Sequence, residues 1–201
     1  RCLLFFVFGR NMNKKELRKQ QIEKLRDFAD NEEKDREDEL LLDQIMNTEL
    51  LKNSQTIGVT SSLPVEVDTS KLIACLWDEG KDVYLAKAHN DANHSQDFLH
   101  YTYKSKLEKS KFGIEEVSDL DAQINDDLDL IIVPGLAFAL DTHERLGFGG
   151  GYYDRFLAKH PDSKTVALVN SKMAFPTANW KVEKTDIPIQ TIITPKQILR
   201  G

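Results

Sequence analysis

Apolar residues recur along the chain with two different periods, and the alternation predicts helices interleaved with strands. Over residues 14–28 a polar stretch carries Leu17, Ile22, Leu25 and Phe28, the spacing of a helix with one buried face. The charged run DNEEKDRED reads as a break, followed by a second helix bearing Leu40, Leu41, Ile45, Met46, Leu50 and Leu51. TIGVTSS (56–62) predicts a strand. PVEVDTSKLIACLWDEGK predicts a loop and then a helix ending at Gly80, with Asp68 or Thr69 able to cap its start. Further strands are predicted at DVYLAKA, at DFLHYTY (97–103) and at DLDLIIVP (127–134), an apolar run suited to the middle of a parallel sheet. A helix over YYDRFLAKH and strands at KTVALVN and IQTIIT (189–194) follow, while KFGIEEVSDL shows no clear period.

This order specifies an α/β sheet, mostly parallel and covered by helices. In such sheets ligands sit beyond the carboxyl ends of the strands. The strand of residues 129–133 leads through PGLAFALDTHE to the segment RLGFGGGYYD (145–154), which therefore falls on the functional edge.

Composition narrows the class. The 201 residues are 40% hydrophobic and 30% charged, ordinary for one soluble domain. A net charge of −6 argues against a general nucleic-acid binder, which would show a basic excess. The apolar run 3–8 is much shorter than the roughly 20 residues of a membrane span, and no small-residue cleavage site follows it. Met12 then opens a charged helical pattern, so residues 12–201 are expected to form a single domain, with residues 1–11 an extension outside it. Cys2 and Cys75 make no disulfide framework, which fits a reducing, cytoplasmic setting. The five histidines show no metal-ligand spacing.

The chemistry concentrates in the glycine segment. Four of the ten glycines fall within residues 147–151. Glycine lets backbone N–H groups face a ligand closely, and a helix start behind them adds unpaired donors and a positive dipole end. Arg145 supplies a permanent cation in front. The combination reads as a phosphate cradle, although it is neither a Walker loop nor a GxGxxG turn. Asp154 behind it would be repelled by phosphates unless a cation such as magnesium intervened. Lys14 and Arg18 share one helix face, a repulsive spacing that an anion opposite them would relieve, or else a solvated basic face.

KKELR near the start, LPVEVDT after the first strand, DLIIVPGLAF and above all RLGFGGGYYDRFL resemble the 5-formyltetrahydrofolate cyclo-ligase family, also called 5,10-methenyltetrahydrofolate synthetase. The resemblance covers the chain from Met12 onward. It implies a three-layer, Rossmann-like α/β fold with helices on both faces of the sheet. It also implies use of ATP and magnesium to convert 5-formyltetrahydrofolate, in whatever polyglutamylated form, to 5,10-methenyltetrahydrofolate. Carried over by position, Lys14, Lys15, Arg18, Arg145, Leu146, Gly147, Phe148, Gly149, Gly150, Gly151, Tyr152 and Tyr153 would meet ATP. Ser61 and Glu66 would meet the folate, Asp154 would bind magnesium, and Arg145 with Asp154 would serve catalysis.

The chain also departs from the family pattern. Thr185 stands where a histidine is common, Gln190 where an aspartate is proposed as a second magnesium carboxylate, and Ala86 where proline is common. At Gly150 some relatives carry lysine. Thr185 and Gln190 leave open a second reading, a relative that binds folate or nucleotide without turnover. A third is another phosphate-handling enzyme on the same fold class.

Overall fold

A computed structural model describes residues 13–201. The expectation for residues 1–11 lies outside the described residues. In chain order the elements are α1 (Lys14–Ala29), α2 (Glu32–Met46), α3 (Glu49–Lys52), β1 (Thr56–Val59), α4 (Ser70–Asp78), β2 (Asp82–Ala88) and β3 (Gln96–His100). There follow β4 (Leu107–Lys109), β5 (Glu115–Val117), β6 (Leu130–Ile132), β7 (Ala137–Ala139), β8 (Arg145–Leu146) and α5 (Tyr152–Lys159). The last are β9 (Lys164–Leu168), β10 (Ala174–Phe175), β11 (Thr191–Ile193) and β12 (Ile198–Arg200).

Seven strands form the central sheet in the order β12-β11-β9-β6-β1-β2-β3. The five inner strands are parallel, while β3 and β12 pair antiparallel at the two edges. The step from β1 to β2 runs opposite to the step from β6 to β9, so right-handed crossovers put α4 and α5 on opposite faces. The α5 face is packed by aromatics: Phe98 meets Phe156 edge-on at 5.0 Å and Tyr153 at 6.5 Å. A Cβ on Gly58 would lie 2.8 Å from the Phe98 ring, so β1 must be bare there.

Helix α1 is placed by a residue that no hydrophobic pattern reveals. Gln21 is buried and its Nε2 donates to the carbonyls of Leu136 at 2.8 Å and Lys172 at 2.7 Å. These carbonyls lie in the loops beyond the carboxyl ends of β6 and β9, so the bond brings the first turns of α1 to that edge.

Several sequence expectations need correction. The charged run 30–38 is helical from Glu32. The Asn31 side chain accepts from the Glu33 N–H, acidic residues fill the first turn where the helix dipole favours them, and buried Glu37 accepts from the Ser171 N–H at 2.7 Å. The helix also stops at Asn47 rather than running on. Thr48 caps a separate short turn through its bond to the Leu51 N–H. At α4 the cap position falls to Thr69, but the side chain that accepts from the first-turn N–H of Ser70 is Asp68. The segment without clear period supplies the turn, with Gly113 in the left-handed region, and the second strand of the β4–β5 hairpin.

Candidate active site

The strand order reverses between β1 and β6, so the chain leaves their carboxyl ends in opposite directions and opens a crevice. A cavity of about 1140 Å³ fills it, with Thr60 and Pro134 at those two strand ends. The glycine segment forms one wall, the start of α1 another, and the β2–β3 edge with the β4–β5 hairpin a third.

The hairpin of β7 and β8 delivers the glycine segment, with Phe138 paired to Arg145 in register. Gly149 and Gly151 take φ of 103° and 70°, conformations that side chains resist. Gly147 and Gly150 have ordinary φ, but a Cβ there would lie 2.7 Å from the Arg145 guanidinium and the Tyr152 ring respectively. Two glycines therefore serve the turn and two serve close approach. Arg18 crosses from α1 and donates through Nε to the Gly147 carbonyl at 2.8 Å, locking the helix to the turn.

Arg145 is the buried charge of the site. Its side chain is 6% exposed and donates through Nη2 to Asp154 Oδ1 at 3.0 Å and through Nη1 to the Pro134 carbonyl at 3.3 Å. Its Nε has no partner among the described residues. The guanidinium also lies 5.7 Å from the Tyr153 ring centroid, a cation–π distance. Asp154 Oδ1 additionally accepts from the Ile187 N–H at 3.2 Å. Lys14 pairs with Asp186 at 2.6 Å on the same rim.

On the floor, the Tyr153 hydroxyl shares a short hydrogen bond with Thr60 Oγ1. Burial raises the Tyr153 pKa, and the nearby Glu66 charge adds to the rise. Glu66 itself is 6% exposed and accepts from the Leu63 N–H at 2.7 Å. Burial outweighs that bond and lifts its carboxyl to about 7. The glycine turn with its buried arginine and a carboxyl able to hold a proton near neutrality thus share one crevice.

A family model described as the 5-formyltetrahydrofolate cyclo-ligase family matches residues 10–195. The chain belongs to the 5-formyltetrahydrofolate cyclo-ligase family. The Escherichia coli K12 cyclo-ligase is 33% identical over 147 residues, covering 72% of this chain and 80% of that protein. The mouse cyclo-ligase is 30% identical over 172 residues, covering 82% and 83%. The structure of Aquifex aeolicus 5,10-methenyltetrahydrofolate synthetase superimposes with a TM-score of 0.79 at 30% identity, over 94% of this chain and 93% of that one. The Mycoplasma pneumoniae synthetase shares the fold, with a TM-score of 0.70 at 19% identity over 92% and 99%. Its homologues make this chain a ligase of folate one-carbon metabolism.

The cyclo-ligase crevice gathers most of the residues singled out by sequence. Lys14, Arg18, Glu66, Arg145 and Asp154 line it, as do Gly147, Phe148, Gly149, Gly150, Gly151, Tyr152 and Tyr153. Three others stand apart. Lys15 is exposed on α1, and Leu146 is 1% exposed in a second apolar cluster with Leu17 and Trp180. Ser61 is off the wall, and Ser62 borders the small recess of about 30 Å³ beside Thr60 and Glu66.

Thr185 and Ala86 do line the cavity, whereas Gln190 does not. The Gln190 side chain accepts from the Thr165 N–H at 3.3 Å, at the start of β9, so it corrects the expectation that this position faces the metal. Sequence reasoning missed Thr60, Gln96 and Glu116. The cue for the first was its place at the end of β1. Nothing in the pattern marked the other two, whose burial depends on strand pairing. Among the described residues no helix is long and apolar enough to cross a membrane.

Proposed function

We propose that this chain converts 5-formyltetrahydrofolate to 5,10-methenyltetrahydrofolate with ATP and magnesium, releasing ADP and phosphate. One observation carries the reading: a single cavity joins the glycine cradle and its cations to Glu66. The reading treats residues 12–201 as one cyclo-ligase domain acting in the cytoplasm.

The formyl carbon of the substrate is an amide carbon and a poor electrophile. Transfer of the terminal phosphoryl group from ATP to the formyl oxygen turns that oxygen into a leaving group. The 10-nitrogen then attacks the carbon, phosphate departs with the oxygen, the 10-nitrogen loses its proton, and the ring closes. The protein positions the groups and neutralises charge.

The residues present fit a bound polyphosphate. The glycines leave the backbone of the turn bare of side chains of its own where it lines the cavity, and Arg145 Nε is a buried donor without a partner among the described residues. They also fit a magnesium ion. No group of three or more His, Cys, Asp or Glu side chains converges among the described residues, but Asp154 Oδ2 has no partner there. Magnesium commonly takes one or two carboxylates together with phosphate oxygens, and it neutralises charge on the phosphates it bridges.

In this arrangement Lys14 and Arg18 hold the distal phosphates from α1. Arg145 carries the charge of the transferred group and positions Asp154. Glu66, near its midpoint at neutral pH, orients the folate and holds or releases a proton at its carboxyl.

The test follows methenyltetrahydrofolate by its absorbance, with and without ATP. Cyclisation that needs both ATP and 5-formyltetrahydrofolate supports the reading. Folate binding without product would favour the non-catalytic relative, and neither binding nor product would refute the assignment.

A further inference from the structure

The charged run at the start of α2 buries part of its charge outside the cavity wall. Glu37 and Asp38 follow Lys34 by three and four residues, which puts all of them on one helix face. The Lys34 ammonium pairs with Asp38 Oδ2 at 2.5 Å, with the two side chains 8% and 11% exposed. Apolar residues there would hold the helix about as well, so the buried charges call for something that they fix. Both carboxylates reach the carboxyl edge of the sheet. Glu37 accepts from the Ser171 N–H in the loop after β9. Asp38 Oδ2 also accepts from the Asp68 N–H at 3.1 Å, in the loop between β1 and α4.

That second loop carries Glu66, and its other hydrogen bonds are local. The Leu63 N–H donates to Glu66, and the Glu66 N–H donates to the Leu63 carbonyl at 2.9 Å. The Thr69 N–H donates to Ser62 Oγ at 3.2 Å, and the Asp68 carboxylate accepts from Ser70 at the start of α4. Among the described residues, the bond to Asp38 is the one hydrogen bond from residues 61–68 to an element beyond the adjoining α4. Packing does not replace it on the side of the recess of about 30 Å³, which Ser62, Glu66 and Val67 border together with Leu168 and Met173. That recess has room for water.

We infer that Asp38 is a positioning residue for cyclisation: from outside the cavity it holds the loop of residues 61–68 in place and so keeps Glu66 buried at the cavity wall. The inference rests on the reading of Glu66 above. With the Asp68 N–H released, the loop is tied only at its ends, and water from the recess reaches the Glu66 carboxyl. Burial is what lifts that carboxyl to about 7, so it falls back toward 4.5 and loses its place against the folate. Of the groups facing it, the Tyr153 hydroxyl of α5 feels the Glu66 charge. Lys14, Arg18 and Arg145 belong to other segments and stay where they are.

The experiment uses the full chain and follows cyclisation against pH for wild type, Asp38→Leu, Asp38→Asn, Glu37→Leu, Glu66→Gln and the double variant of Asp38→Leu with Glu66→Gln. In wild type, kcat/KM for 5-formyltetrahydrofolate should turn over at about pH 7, and Glu66→Gln should lack this inflection. Asp38→Leu should lower kcat/KM for folate at least about tenfold and move the inflection down by about one pH unit, with the ATP constant within about twofold of wild type. Asp38→Asn keeps an oxygen for the Asp68 N–H and should stay within about threefold of wild type. Glu37→Leu removes the neighbouring acceptor from the same helix face and should leave the inflection in place. On the Glu66→Gln background, Asp38→Leu should cost less than about twofold more, because its effect passes through Glu66. If Asp38→Leu does not fold, Asp38→Ser, too short to reach the Asp68 N–H, takes its place; failure of both makes Asp38 a folding residue and overturns the inference. An unmoved inflection, or equal losses in Asp38→Leu and Glu37→Leu, overturns it as well. A wild type without cyclisation, or a Glu66→Gln profile that keeps the inflection, refutes the reading of the site itself, and the inference falls with it.

Discussion

Glu66→Gln should make the protein more stable in alkaline solution while damaging its activity. Glu66 is buried at 6% exposure, and its carboxyl is lifted from the ordinary 4.5 to about 7. The folded protein therefore holds this proton up to about pH 7, whereas the unfolded chain releases it near 4.5. Between those values the folded state binds more protons, so stability falls as pH rises, and the loss is complete above about 7. At about 1.4 kcal/mol per pH unit, the whole effect is about 3 kcal/mol. Glutamine keeps the acceptor for the Leu63 N–H but never ionises, so the variant avoids the loss.

For a chain of this size about 3 kcal/mol corresponds to roughly 6–12 °C in thermal midpoint. The assay is a pair of melting curves at each pH from 4.5 to 8.5. The two proteins should nearly coincide at pH 4.5, with Glu66→Gln melting higher by the full amount at pH 8.5. Burial also raises the carboxyls of Asp38, Glu116 and Asp126, but both proteins contain these, so the difference isolates Glu66. The variant's folate Michaelis constant should rise, or its turnover fall, with ATP binding intact. A difference that does not grow with pH would refute the argument that Glu66 pays for its burial when it ionises.

Arg145→Ala should lower turnover by well over tenfold at saturating ATP, since a charge-assisted contact contributes about 1.5–3 kcal/mol; unchanged kinetics would remove Arg145 from the reaction. Asp154→Asn should nearly abolish turnover and raise the magnesium needed for what remains. An unaltered magnesium dependence would leave Asp154 as the partner of Arg145 only. Gln190→Asp should leave the magnesium requirement unchanged, because the side chain bonds Thr165 outside the cavity. A lowered requirement would place this position at the metal after all.

Local signals were enough for the elements that carry their own period or punctuation. The apolar run at β6, the one-sided pattern of α1 and the glycine segment before α5 all fall where the sequence places them. The cues act within a few residues: burial on both faces selects an unbroken apolar strand, and positive φ at Gly149 and Gly151 selects glycine. The same reasoning failed over residues 30–38, where charge looked like a break. There the acidic residues favour the start of α2, Lys34 pairs with Asp38 one turn on, and buried Glu37 accepts from the distant Ser171 N–H.

By itself, then, the sequence determined an alternating α/β chain, a basic face on its first helix and a glycine turn at the sheet's carboxyl edge. Tertiary structure decided what meets that turn. It brought Arg18 onto the Gly147 carbonyl, paired Arg145 with Asp154, chose Ser62 over Ser61 beside Glu66, and turned Gln190 away. It also lifted the Glu66 carboxyl and brought Gln96 and Glu116 to one residue of β2. Spacing along the chain governs which residues share a helix face or strand face, because those periods are local. Desolvation, ion pairing and the choice of cavity wall depend on segments far apart in sequence, and only their packing against one another settles them.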